Sequence, residues 1–415
     1  MSIYKAYKYR IYPTFDQRRT LDRNFGAVRF VWNQLVANFN SYGTDDHVKN
    51  MSETHVKSEH DWLKECISYG IQQKRMDFYQ TTKQFFNKKR KTKSGKPNFK
   101  KKGVARDSMR IPGQALGYNK AVDFEAGTIK IPKMTPIKVS YHREFKGELR
   151  SATISKTKTS EYYVSILVKQ EIQEKPKTGK DIGIDLGINH LAILSDGTKF
   201  TNPKYFRETQ AKLKKMQQHL SRKTKGSNRY NQARLKVAKL YEKITRQRNW
   251  YYHQISNYLV TNYDSIFVED LAVKNMVKNR KLSKAIADVA WSTLVGMIGY
   301  KASWYGKEVC KVNRFFASSK TCSCCGHKLD KLDLGTRDWT CPSCYTEHDR
   351  DINAAKNIYK EGMLKQHGLL SEELPDMNNR GEDIRPEWFL CRNHSANLIE
   401  ATSKPVEFIE LCRPA

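Results

Sequence analysis

The chain has 415 residues and carries 75 Lys and Arg against 43 Asp and Glu, a formal net charge of +32. That length allows roughly two to four domains with a real core in each. Although only 39% of residues are hydrophobic, 22 Tyr, 17 Phe and 7 Trp exclude wholesale disorder. No run approaches about 18 uninterrupted apolar residues, which excludes a membrane-spanning helix, and residues 1–10 alternate polar and apolar side chains where a signal peptide has an apolar block. The expectation is a cytoplasmic protein, with no membrane partner, whose cations and interleaved aromatics track nucleic-acid phosphates.

In chain order, Ile3, Tyr7, Tyr9 and Ile11 share one face of a strand over residues 3–12. Residues 14 to about 87 read as mostly helical, centred on RFVWNQLVANF (29–39) and YGIQQKRMDFYQTTKQFF (69–86). Residues 88–106 hold ten Lys or Arg and no acid, and Gly95, Pro97 and Gly103 forbid a continuous helix, so a basic loop is expected. Short β-type runs return over 111–168. Strands on either side of a helical insertion predict a small β-barrel interrupted by a helical domain.

The second half reads as α/β. DIGIDLGINHLAILSDGTKF (181–200) gives two strands around a glycine turn, with Asp196-Gly197 beyond them. A long helical stretch follows, holding fourteen Lys or Arg against Glu208 and Glu242 over 207–248. Within it Tyr230, Val237, Ile244, Tyr251 and Tyr258 recur every seven residues, with Tyr241 and Ile255 between them, which predicts a helix seam. SIFVED (265–270) is a buried-type strand ending in carboxylates. From residue 359 the composition changes to seven Lys or Arg against ten Asp or Glu, a net −3 that leaves +35 on residues 1–358. The phosphate-binding body is expected to end near residue 360.

Five of the nine cysteines crowd into residues 322–344. Read as C-x2-C-x15-C-x2-C, Cys322, Cys325, Cys341 and Cys344 form two knuckles whose four thiolates suit tetrahedral zinc. Cys324 is an extra thiol beside the first knuckle, while Cys66, Cys310, Cys391 and Cys412 read as ordinary thiols. Disulfides suit an intracellular chain poorly.

Three acids sit where strands or helix starts display them: Asp185 in GIDLG, Glu269 at the end of IFVE, and Asp351 opening DINAAKNI. An acid among buried strand residues is costly unless divalent metal compensates it. Two Mg²⁺ ions about 3.5–4 Å apart, held by such carboxylates, serve phosphodiester cleavage. Each acid alone also fits a bland role: a turn acid, a surface ion pair, a helix cap. Asp181, Asp270 and Asp349 compete as neighbours.

With RFVWN (29–33), GIDLGI (183–188), VEDL (268–271), SSKTCSCCG (318–326), WTCPSC (339–344) and HDRDINAAKNI (348–358) in this order, the chain resembles the TnpB family. These are RNA-guided nucleases carried by insertion-sequence transposons and related to type V CRISPR effectors. The resemblance implies an α/β plus α+β chain: a RuvC-like nuclease domain of RNase H fold with an inserted zinc ribbon, preceded by a wedge-type β-barrel that a helical recognition domain interrupts. The expected divisions are 1–13 with 107–172 for the barrel, 14–106 for recognition, 173–320 with 347–360 for the nuclease, 321–346 for zinc and 361–415 for a tail. It further implies Asp185, Glu269 and Asp351 as the catalytic, Mg²⁺-holding acids, with Asp349 in support. Guide RNA and a target DNA duplex bearing a short flanking motif are the implied partners of a chain expected to be monomeric. Tyr69 and Gln72 fall where family members contact that motif, and Gln can bond adenine in two places. Guide RNA is expected along the basic loop and helices, at Lys88, Lys89, Arg90, Lys91, Lys100, Lys101, Lys102, Arg222 and Lys223. A nuclease-inactive RNA-guided repressor, a strand-joining transposase and a compact CRISPR effector stay open as alternatives. Tyr345 stands where many knuckles have Gly, which is expected to tighten or strain the second turn.

Overall fold

The computed structural model describes residues 2–42, 58–87, 95–203, 205–271, 276, 278, 283–313, 316–333 and 335–368. The chain divides into two compact units, one of residues up to 172 with 220–239, the other of 173–219 with residues from 240 onward.

The first unit is built on a seven-stranded antiparallel sheet. Its strands are β1 (Ser2–Tyr12), β2 (Asp107–Pro112), β3 (Val122–Asp123), β4 (Thr128–Ile129), β5 (Ile137–Ser140), β6 (Glu148–Lys156) and β7 (Tyr162–Glu171), in the order β2-β6-β7-β1-β5-β4-β3. The period-two pattern of β1 sends Ile3, Tyr7, Tyr9 and Ile11 into the core and leaves Tyr4, Lys8 and Tyr12 exposed. Tyr9 and Ile11 pack there with Met109, Ile111, Ile154, Val164 and Ile166.

Between β1 and β2 run α1 (Phe15–Tyr42) and α2 (Ser68–Phe86). A capping box starts α1: the Gln17 amide donates to Thr14 Oγ1 (3.4 Å) and the Thr14 amide to Gln17 Oε1 (2.9 Å). Leu21, Phe25 and Val28 of α1 join the sheet core, while Val31, Trp32, Leu35, Val36 and Phe39 pack with Ile71 and Phe78 of α2. RFVWN therefore works partly as an anchor. Trp32 Nε1 donates to the Asn98 carbonyl (2.9 Å), and the Asn33 side chain both accepts from the Lys100 amide (2.8 Å) and donates to its carbonyl (3.1 Å), fixing the end of the basic loop.

The second unit holds a five-stranded mixed sheet, β10-β9-β8-β11-β12. Its strands are β8 (Asp181–Asp185), β9 (His190–Leu194), β10 (Lys199–Thr201), β11 (Ser265–Glu269) and β12 (Glu308–Val312). β8, β11 and β12 are parallel, and β9 and β10 return antiparallel. The helices are α3 (Tyr205–Ser221), α4 (Asn228–Asn262), α5 (Ser283–Val289), α6 (Trp291–Tyr305) and α7 (Arg350–Gln366), and a hairpin of β13 (Asp338–Thr340) and β14 (Glu347–Asp349) leads into α7.

Three expectations need adjustment. The segment after Asp196-Gly197 forms a third strand, β10, beyond the two read from sequence. Of the α4 seam, Val237, Ile244 and Ile255 are buried, but Tyr241 is 41% exposed. At 35 residues α4 is about 50 Å long, and its residues up to 239 fall in the first unit. Finally, α7 crosses residue 360 without a break and ends at Gln366. The composition break marks a change of charge, not of packing.

Candidate metal centres

Asp185 and Glu269 end the neighbouring parallel strands β8 and β11, one position beyond the paired Ile184 and Val268. The carboxyl ends of parallel strands are where open α/β sheets bind ligands. α7 brings the third acid. A Cβ built on Gly183 would lie 2.2 Å from the Ala355 carbonyl oxygen, so only glycine lets the helix press onto β8 here. Two residues on from Gly183, Asp185 shares its face of the strand; one turn before Ala355, Asp351 shares its face of the helix. On β11, Phe267 packs on Ile358 and Tyr359 of α7, and Glu269 shares that face.

The three acids are all half-buried, and Asp185 feels the other two. Burial and the negative charges of Asp351 and Glu269 push the Asp185 carboxyl up to about 7, against a smaller pull from Arg350 and the Leu186 amide. Burial also raises Glu269. Arg337 donates to both carboxylate oxygens of Asp351 (3.3 and 3.2 Å). A cleft of about 730 Å³ opens beside Glu269, lined among others by Leu186, Asp270, Trp291, Gly299 and Lys311. Carboxylates gathered from two strand ends and a helix start are a donor set that suits a hard divalent cation. The neighbouring acids have other work. Asp181 accepts from the Ser265 amide (2.9 Å) and Asp270 faces Lys311 (3.6 Å). Asp349, not Asp351, caps α7 by accepting from the Asp351 and Ile352 amides (3.0 Å each). Against the cost of its burial, Lys199 at 2.6 Å and those amides hold Asp349 below the usual carboxylate range.

Cys322, Cys325, Cys341 and Cys344 bring their sulfurs within 4.8 Å of one another, and among the described residues no other His, Cys, Asp or Glu group closes so far. The Cys322–Cys344 and Cys325–Cys341 sulfurs are 3.6 Å apart, close to the ~3.8 Å edge of a tetrahedron with Zn–S bonds of ~2.3 Å. The set fits zinc, and Cys324 is not part of it. The two knuckles turn alike: the Gly326 amide donates to the Cys322 carbonyl (3.0 Å) and the Tyr345 amide to that of Cys341 (2.9 Å). Both turns need a left-handed residue, φ +80° at Gly326 and +57° at Tyr345, so the strain expected at Tyr345 is present. The Thr346 hydroxyl and amide lower the Cys344 thiol to about 6, favouring the thiolate that binds metal. Burial raises Cys66 and Cys310, as for inert thiols. Cys391 and Cys412 lie outside the described residues.

Tyr69 and Gln72 stand one turn apart on the exposed side of α2. Lys101, Lys102 and Arg222 are exposed and Lys223 half-buried. Lys100 differs, its ammonium lying 3.5 Å from the centre of the Trp32 ring, where burial, then Lys74, lowers it to about 8. Lys88, Lys89, Arg90 and Lys91 lie outside the described residues. HDRDINAAKNI carries more than one acid. His348 Nε2 is 3.0 Å from Cys322 Sγ, and the buried Asn353 and Asn357 bond the first knuckle.

Family models described as "Probable transposase", "Cas12f1-like, TNB domain" and "Helix-turn-helix domain" match residues 164–280, 291–358 and 1–42. In this chain the last of these segments is a strand followed by one helix. A protein of Streptomyces pristinaespiralis named "Putative RNA-guided DNA endonuclease" is 36% identical over 86% of this chain and 89% of its own length. "Putative RNA-guided DNA endonuclease InsQ" of Escherichia coli K12 is 29% identical over 92% and 97%. A solved Cas12f1–sgRNA–target DNA complex is similar at 14% identity and a TM-score of 0.49, covering 86% of this chain and 99% of that one.

Proposed function

This chain belongs to the TnpB family, and from that premise we propose that it is an RNA-guided DNA endonuclease with one carboxylate-based metal site. Base pairing with guide RNA selects the target sequence, while protein reads a short flanking motif and the backbone. The sheet with β8, β11 and α7 is taken as a RuvC-like nuclease of RNase H fold, the four-thiol segment as its zinc ribbon, and the seven-stranded sheet with α1 and α2 as wedge barrel and recognition helices. The observation that supports the site most strongly is that α7, packed on Gly183 of β8, brings Asp351 close enough to Asp185 for its charge, with that of Glu269, to act on it, although the three are far apart in sequence.

Asp185, Glu269 and Asp351 would hold Mg²⁺, whose chemistry in such sites is to lower the pKa of water and offset charge on the leaving oxygen. Asp185 would serve as a ligand in its carboxylate form, because a bound cation's charge would offset its burial and the repulsion from its two partners. Asp349 fixes the first turn of α7 and so presents Asp351. Arg337, already on Asp351, adds positive charge where a phosphate would approach. Tyr69 and Gln72 are proposed for the flanking motif, and Lys101, Lys102, Arg222 and Lys223 with Lys88, Lys89, Arg90 and Lys91 for guide RNA. Lys100 is proposed to act mainly by holding Trp32.

The chain purified with its own RNA and given Mg²⁺ should cut a matched, motif-bearing duplex. Prior RNase treatment should abolish the cutting. Activity that survives RNase would favour a strand-joining transposase instead, and an intact duplex under varied salt and temperature would refute the endonuclease.

A further inference from the structure

We infer that Asn353 and Asn357 are positioning residues that tie the four-thiol knuckle to the helix bearing Asp351, so that occupancy of the two metal centres is coupled. The inference rests on the nuclease reading of Asp185, Glu269 and Asp351.

Asn353 lies two residues beyond Asp351 on α7 and is 1% exposed. Its Oδ1 accepts from the Ser323 amide (2.8 Å) and its Nδ2 donates to the Thr321 carbonyl (2.8 Å). Those peptide groups flank Cys322, so one buried amide grips the chain on both sides of a sulfur ligand. One turn later, Asn357 Nδ2 donates to the Ser318 (2.8 Å) and Thr321 (2.6 Å) carbonyls. Lys360 continues the row with a bond to the Ser323 carbonyl. Residues 353, 357 and 360 form one stripe of the helix. Asp351, Ala355 and Ile358 form another, turned to the sheet. α7 is thus gripped by the first knuckle along one face while the other sets Asp351 against Asp185.

The second knuckle holds the same helix end-on. Trp339 of β13 pairs with His348 of β14, and the rings lie 4.7 Å apart. His348 reaches Cys322, the next residue is the cap Asp349, and Asp351 follows. Apolar side chains could fill this space equally well. Buried amides instead demand every partner at once, and sliding the helix by one turn would break all of these bonds. They specify one placement of α7 on the knuckle. Coupling of this kind is reciprocal: if zinc binding favours the placement that suits the acids, a cation on the acids must favour zinc retention by the same factor.

The test uses the full chain with its copurifying RNA, Mn²⁺ as the probe of the acid site followed by electron paramagnetic resonance, and the rate of zinc release to a colorimetric chelator. In the wild type, saturating Mn²⁺ should slow zinc release severalfold. Asn353→Ala, loaded with zinc, should bind Mn²⁺ about tenfold more weakly, the scale of lost outer-shell support, and should lose the effect of Mn²⁺ on zinc release. Asn357→Ala should show the same changes to a smaller degree, and it carries the comparison if Asn353→Ala does not fold. Zinc release that ignores Mn²⁺ in the wild type overturns the inference, whatever the variants do. Asp185→Asn separates the two levels. Loss of Mn²⁺ binding in that variant upholds the acid site, so a failure of coupling then falls on the asparagines alone; retained Mn²⁺ binding overturns the acid site and the inference together.

Discussion

The two metal centres are built in opposite ways. The thiol site is local, with four ligands inside 23 residues and each pair closed by a turn of its own backbone. The carboxylate site draws one acid from each of β8, β11 and α7, elements spread over more than 160 residues, and nothing near any of them in sequence says which acids will meet. Thiols can crowd to within 4.8 Å at little cost, because burial keeps Cys322 and Cys325 toward the neutral form even though Cys344 is lowered. Carboxylates that approach must repel, and Asp185, raised first by burial and then by its two neighbours, records it. A local site is specified by spacing; an assembled one depends on whatever holds its elements in register. Here that is the contact of α7 with Gly183 on one side and with the first knuckle on the other.

The largest effect expected from breaking this arrangement is at the local site. Cys341→Ser should abolish stable zinc binding, since structural zinc contributes about 10–16 kcal/mol to such small elements. Metal analysis and proteolysis of residues 318–349 should both report the loss. If α7 also loosens, hydrogen exchange at Asp351 and Ile352 will rise with it; exchange confined to the knuckles would mean that the two centres stand apart.

Gly183→Ala strikes the assembled site instead. The added methyl meets backbone, not a flexible side chain, so a stability loss of about 1–3 kcal/mol is expected in denaturant unfolding, together with weaker Mn²⁺ binding and unchanged zinc. An equal loss of both metals would blur the contrast between the two sites.

The sign of the Asp185 shift gives a pH test. Its folded value of about 7 lies above the ~3.9 of an unfolded chain, so between these values the folded state binds the proton more tightly. The stabilisation is full near pH 4 and is lost as pH rises through 7. In chelator-treated protein without Mg²⁺, wild type should lose a few degrees of melting temperature relative to Asp185→Asn between pH 5 and pH 8. Parallel curves would remove the evidence that the acids repel.

The smallest effect is expected at Tyr345, which is 79% exposed at φ +57°. Its left-handed strain of roughly 1–2 kcal/mol, less the added freedom of glycine when unfolded, predicts that Tyr345→Gly stabilises by about 0.5 kcal/mol and leaves zinc content alone.

The same contrast explains what was legible in the sequence. The knuckle ligands and the strain at Tyr345 followed from spacing and from turn chemistry. The inward face of β1 followed from its alternation, because a half-buried strand writes its orientation into every second residue. Asp185 and Glu269 stood out as charges in apolar strands and Asp351 as an acid at a helix start; beyond the family resemblance, bringing them together required the topology. The roles of Asn353 and Asn357 were not legible, since an asparagine in a helix reads the same whether it faces water or a buried carbonyl. Nor was the end of α7, because acidity begins before the helix stops touching the sheet: Gly362 still lies against Phe267.

The most direct measurement compares wild type with Asp185→Ala, each assembled with the same RNA, for binding and for cutting of one guided target in Mg²⁺. Both should bind the target with equal affinity, and the variant should cut it slower by about 10³-fold or more, the cost of several kcal/mol of lost transition-state stabilisation. Equal cutting by the two would show that Asp185 is not part of the reacting site, and equal failure to cut by both, with binding intact, would show an RNA-guided DNA-binding protein that does not cleave.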